Sequence, residues 1–204
     1  MNSKPAVTRK TILSALFILT GNGEYQKQML SDCKDVNTLY KQQKKTDKQE
    51  ENWMTIEEIK NIYDNHYNSV NTMLKRKIIT DTKVVMNYIL LGCLSGVSGL
   101  PPRRSLDYTE LKINNYDPDR DNYYSQGIFH FNKYKTSKTY GLQTLNVKEL
   151  APEFYKILRK WVKINDNDYL LYSSNGNKLT SPQITKLLHS IFRKKVSVDM
   201  IRHI

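Results

Sequence analysis

The sequence predicts a mainly α-helical protein of the α+β class with a small antiparallel β-sheet. Three observations carry this expectation. Apolar residues recur every three or four positions through most of the chain, as one buried face of a helix requires. Gly127 to Phe131 and Leu142 to Val147 instead alternate or cluster like strands, on either side of a lysine-rich tip reading KYKTSKTYG. Glycine, proline and asparagine then punctuate the boundaries, at Gly21 and Gly23, at Gly96 and Gly99, and through NNYDPDRDN over Asn114 to Asn122.

Taken in order, Thr8 to Thr20 carries Ile12, Ala15, Leu16 and Leu19 as a helical stripe closed by Gly21 and Gly23. Tyr25, Met29, Leu30, Cys33, Val36, Leu39 and Tyr40 keep a broken helical spacing after it. Lys41 to Asn52 has no apolar residue, so it is a solvated helix end or a linker. Thr55 and Glu58 make a capping box ahead of the stripe Ile56, Ile59, Ile62, Tyr63, Tyr67, Val70 and Leu74. Residues 1–75 are therefore expected to form a helical domain with basic residues on its polar face. Such a face suits a phosphate backbone, or plain helix packing.

Residues 76–204 make the second expected domain. Asp81 caps a helix through Val84, Val85, Tyr88, Ile89 and Leu91, broken by Ser95, Gly96, Ser98 and Gly99. A short helix carries Asp107, Tyr108 and Leu111, and the two strands follow, with Lys133, Lys135 and Lys138 on the hairpin loop between them. Pro152 opens an amphipathic helix through Phe154, Ile157, Leu158 and Trp161. Ser181 caps another, with Pro182 at its first position and Ile184, Leu187, Leu188 and Ile191 on its apolar face. Between these two, Tyr169 to Tyr172 is extended and ends in the turn SSNGN. The terminal VDMIRHI opens one more helix.

The 204 residues hold 32 Lys and Arg against 20 Asp and Glu, a formal net charge of +12. That excess implies a polyanionic partner, nucleic acid or an anionic membrane face. The basic clusters recur from Lys41 to Lys48, at Lys75 to Lys77, and on through Arg193 to Lys195, which favours an extended, wrapped ligand. The apolar runs, Ile12 to Leu19 and Tyr88 to Leu91, are too short to span a bilayer, and neither resembles a cleaved signal. Cys33 and Cys93 fit neither a disulfide framework nor a zinc site and are expected to be buried thiols in a reducing compartment. An intracellular protein without membrane association follows.

GLPPRRSLD, Gly99 to Asp107, is the stretch around which a site would be organised. Two prolines stiffen the backbone ahead of Arg103 and Arg104. A fixed guanidinium fork can bind two oxygens of one phosphate. Asp107 lies one helical turn beyond Arg104 and is expected to orient that fork by a salt bridge. The same residues also fit an exposed basic turn.

The order of parts resembles the catalytic domain of the tyrosine recombinase, or phage-type integrase, family. The family's first box, roughly T-G-L-R-x-x-E-L, is met by Arg104, Asp107 and Leu111. Its hairpin lysine falls on Lys135 in KTSK, with Lys138 as competitor. Its second box, H-x-x-R-H, is met by Arg202 and His203, with Asp199 in place of the usual His. PPRR, YKTSKTYG and IRHI look closest to integrases of large DNA viruses and their parasites, or virophages.

The resemblance implies a recombinase-like catalytic domain preceded by a partial, core-binding-like helical domain. It implies catalytic roles for Arg104, Lys135, Arg202 and His203, and DNA contacts from Arg103, Lys133 and Lys138. The partner is double-stranded DNA, with a tetramer on DNA for a full-length form, and neither metal nor other cofactor is expected, because cations of the chain neutralise the phosphate. Localisation follows the target DNA, in a host nucleus or a cytoplasmic viral factory. The family's nucleophilic tyrosine lies beyond the second box, whereas all fourteen tyrosines of this chain precede it. The expectation is a truncated copy, or a nucleophile donated in trans, with Tyr140 the one substitute to test. The alternatives are an inactive DNA-binding accessory protein that retains the fold, and an unrelated basic helical protein that binds RNA.

Overall fold

The computed structural model describes residues 4–42, 45–76 and 81–204; Lys44 and Lys77, counted above among the basic clusters, lie outside them. The described residues are mainly helical, with a three-stranded antiparallel sheet, so the α+β expectation holds.

The chain divides into two compact units between residues 51 and 52. In the first, α1 (Ala6–Thr20) and α2 (Gly23–Lys41) form a helical hairpin. Gly21 turns α1 off in the left-handed conformation, at φ 67°, and the Asn22 side chain accepts the Glu24 N–H at the start of α2. Leu13 and Val36 are buried, and the Arg9 fork pairs with the fully buried Asp32. The short α3 (Asp47–Asn52) lies where a linker was expected.

The second unit begins earlier than the expected boundary near residue 75. It includes α4 (Ile56–Lys75), whose Thr55–Glu58 capping box is formed on both sides. The reason is packing. Ile59 and Val70 are fully buried, and the Tyr63 hydroxyl meets that of Tyr88 at 2.8 Å with the rings stacked 4.8 Å apart. Tyr88 belongs to α5 (Thr82–Leu94), capped by Asp81, and residues 88–94 of this helix are all buried.

The sheet runs β1 (Tyr123–Ser125), β2 (Ile128–Phe131), β3 (Gln143–Asn146), each antiparallel to its neighbour. Strand β1 directly follows the loop of 114–122. Phe131 faces Gln143 on the last rung before the loop that carries Lys135. Within that loop, Ser137–Tyr140 coils into a single turn, α7. Tyr124, Phe129 and Phe131 point into the core, where Tyr108 meets both phenylalanines edge-on. On the other face Tyr123 is stacked between Tyr116 and His130.

After α8 (Val147–Leu150), α9 (Pro152–Ile164) turns Phe154, Ile157, Leu158 and Trp161 inward. Helix α10 (Ser181–Phe192) corrects the expected cap. Thr180 caps it and shares a capping box with Gln183, so Ser181 is the first helical residue. Residues 198–202 form α11, capped by Ser197. Val198, Met200 and Ile201 are buried, which leaves Asp199 and Arg202 facing outward.

Candidate functional site

The approach to the site depends on one glycine. Gly99 has φ +96°, and a Cβ there would stand 2.6 Å from the Leu150 carbonyl oxygen. Past it, Pro101 and Pro102 bring the chain to Arg104, the extended N-cap residue of α6 (Ser105–Thr109). From that position the Arg104 side chain leaves the helix instead of lying along it. Among the described residues no ion pair or hydrogen bond holds its guanidinium.

Arg104 lines a cleft of about 830 Å³ together with Lys135 from the hairpin loop and Arg202 and His203 from the end of α11. Segments nearly a hundred residues apart thus contribute to one concavity. His203 is exposed at its rim. Asp199 also lines it, 82% exposed, with its carboxylate 3.5 Å from Arg202 Nη1, a loose surface contact. Ser105, Ser181, Thr185 and Ser197 add hydroxyls that sequence reasoning did not assign to a site. Ser105 and Ser181 join α6 to α10 at 3.3 Å, and Ser197 accepts the Met200 N–H.

One expected pairing differs. Asp107 grips Arg103, whose Nε donates to the carboxylate at 2.8 Å, and is not the clamp of Arg104. The Arg103 side chain is only 15% exposed, lies 4.1 Å over the Phe131 ring, and donates from Nη1 to Gln143 Oε1 at 2.9 Å. Its guanidinium is thus held by partners within the fold. Lys133, half-exposed, stands 3.2 Å from Asp121 and 4.0 Å from Glu110, so an intramolecular pair competes with any anion there. Lys138 is exposed on α7 but does not line the cleft. Tyr140 is 67% exposed, and among the described residues no tyrosine lines the cleft.

The cleft floor holds one buried acid. Burial pushes the Asp107 carboxyl above its usual range, and the positive charges of Arg103, Arg104 and Arg202 pull it back in part. One of its oxygens, Oδ1, has no hydrogen-bond partner. Arg104, Lys135 and Arg202 thus outnumber Asp107 and the solvent-facing Asp199, and the lining carries a net positive formal charge. Among the described residues no cluster of three His, Cys, Asp or Glu side chains could hold a metal ion, and no helix is long and apolar enough to cross a membrane.

No protein family and no curated protein matches the chain. Solved structures that resemble it include the XerH site-specific recombinase bound to difH substrate in a pre-cleavage complex. There the identity is 17% and the TM-score 0.43, over 74% of this chain and 40% of that one. XerA recombinase aligns at 16% identity and TM-score 0.49, over 99% of this chain and 69% of that one. The post-cleavage complex of XerH with palindromic difH gives 15% and 0.42, over 100% of this chain and 60% of that one. The chain thus spans between two fifths and about two thirds of these recombinases' lengths.

Proposed function

We propose that the cleft binds a backbone phosphate of duplex DNA, and that the second unit is the phosphate-clamping part of a tyrosine-recombinase-type catalytic domain. One observation supports this above the rest: Arg104, Lys135, Arg202 and His203 come from three separate segments and line a single cleft. In such a clamp Arg104 and Arg202 stabilise the charge that builds on the phosphate when a tyrosine hydroxyl attacks it. Lys135 supplies a proton to the leaving 5′-oxygen, and His203 hydrogen-bonds the phosphate. The product is a 3′-phosphotyrosine that a later strand resolves. The net charge of +12 fits the same ligand.

Equilibrium binding to a short duplex tests the clamp. Arg104→Ala and Arg202→Ala are each expected to weaken binding about tenfold, the share of a charged phosphate contact. Lys148→Ala, on the exposed face of α8, is expected to change it little. Equal affinity in the wild type and both arginine variants rejects the proposal.

A second reading is favoured by Asp199, exposed where the family pattern has His, and by the lack of a tyrosine among the described lining residues. On this reading the chain binds DNA without cutting it. Denaturant-resistant protein–DNA adducts on a nicked duplex, abolished by Arg104→Ala, select the enzyme. Tight binding without adducts selects the accessory protein.

A further inference from the structure

The three cleft cations sit on separate elements of the fold. Arg104 is the N-cap residue of α6, and Lys135 hangs from the loop over residues 132–142. Arg103 touches both. Its Nε donates to Asp107 on α6, and its Nη1 donates to Gln143, which opens β3. Its planar face covers Phe131, which closes β2, and lies 5.4 Å from the Tyr134 ring inside the loop. Phe131 and Gln143 are partners on the last rung, so one guanidinium is fastened to both stems of the Lys135 loop at its base. The neighbouring resident of this junction is Asn122, 1% exposed, whose Nδ2 donates to the Asp107 and Lys133 carbonyls at 3.0 and 2.8 Å.

We propose that Arg103 is a positioning residue: it ties α6 to the base of the hairpin loop and thereby sets the separation between Arg104 and Lys135 across the cleft. This rests on the reading of the cleft as a phosphate site. A fork with donors in fixed directions and a face that stacks is what such a junction demands. Lysine offers a single point charge on a flexible stem and cannot do both. The orientation of Asp107 follows from the same contact, since its carboxylate is turned toward Arg103.

The test is a mutant cycle read on duplex binding, with circular dichroism and thermal unfolding confirming that each variant is folded. In the wild-type background Lys135→Ala is expected to weaken binding about fivefold to tenfold, as loss of one phosphate contact does. In an Arg103→Lys background, and separately in a Gln143→Leu background that keeps the Arg103–Asp107 pair, the Lys135→Ala penalty is expected to fall below about twofold. The Arg104→Ala penalty should persist in both. A Lys135→Ala penalty that stays at its full size in the two backgrounds overturns the positioning role. If Lys135→Ala and Arg104→Ala have no effect even in the wild type, the phosphate-site reading fails instead. A loss of fold in Arg103→Lys leaves the Gln143→Leu arm to decide.

Discussion

Single residues set several of the tightest constraints. Gly92 lies in the last turn of α5, where alanine has the better helix propensity by at most about 1 kcal/mol. An added Cβ, however, would stand 2.3 Å from Phe154 Cε2, and that ring is itself 1% exposed and has nowhere to go. Overpacking of this kind costs about 1–3 kcal/mol, so it outweighs the propensity gain. Gly92→Ala is expected to lower the urea midpoint of unfolding with an unchanged slope. Asp121 gives a second prediction at this scale. Burial pushes its carboxyl up, but the Asp117 backbone N–H together with Lys112 and Lys133 outweighs burial and holds the pKa at about 2. The folded value lies below the unfolded one, so the carboxylate stabilises the fold above pH ~4 and that stabilisation is lost as pH falls toward 2. Asp121→Asn is expected to cost on the order of 2 kcal/mol at pH 7 and almost nothing near pH 2, measured by denaturant unfolding at both.

At the scale of elements, helix ends show what could be seen in advance. Thr55 and Glu58 announced their capping box, and Asp81 its cap, because these are local contacts between residues two or three apart. The start of α10 was displaced by one residue because Thr180 and Ser181 both carry cap-competent hydroxyls. Only the backbone decides: Thr180 is extended and its side chain reaches the Gln183 N–H. Thr180→Ala is therefore expected to destabilise by about 1 kcal/mol, and Ser181→Ala by less than half as much, in thermal unfolding. The Arg103–Asp107 pair was hidden for a related reason. Spacings of three and four residues both bring side chains together on a helix, so Arg103 and Arg104 were equally eligible partners. The choice is made by Phe131 and Gln143 on the sheet, which receive Arg103, and by the N-cap position of Arg104, which turns it outward. Strand β1 escaped notice because Tyr123 to Ser125 is short and follows a polar loop; its pairing with β2 and the Tyr116–Tyr123–His130 stack hold it. Helix α4 could be read as a helix from its stripe, yet its stripe could not say which unit buries it.

For the molecule as a whole, the decisive quantity is how much of the +12 charge meets a ligand at once. Binding that neutralises Z phosphates of duplex DNA makes the logarithm of affinity fall with the logarithm of salt at a slope near −0.9Z. If Arg104, Lys135 and Arg202 close on phosphate together, replacing all three by alanine should flatten that slope by about 2 to 3. The remaining slope then reports the exposed lysines outside the cleft, such as Lys138 and Lys160. A membrane partner, the other candidate that charge alone admits, predicts something different. Anionic vesicles would compete with duplex DNA, and the triple variant would bind them nearly as well as the wild type, because a concave cleft does not lie against a flat surface. Titrations of the wild type and the triple variant against duplex and against vesicles containing phosphatidylserine, each at several salt concentrations, separate the two. A flattened slope on DNA with unchanged vesicle binding assigns the cleft to nucleic acid; an unaltered slope on DNA removes the cleft from the interface altogether.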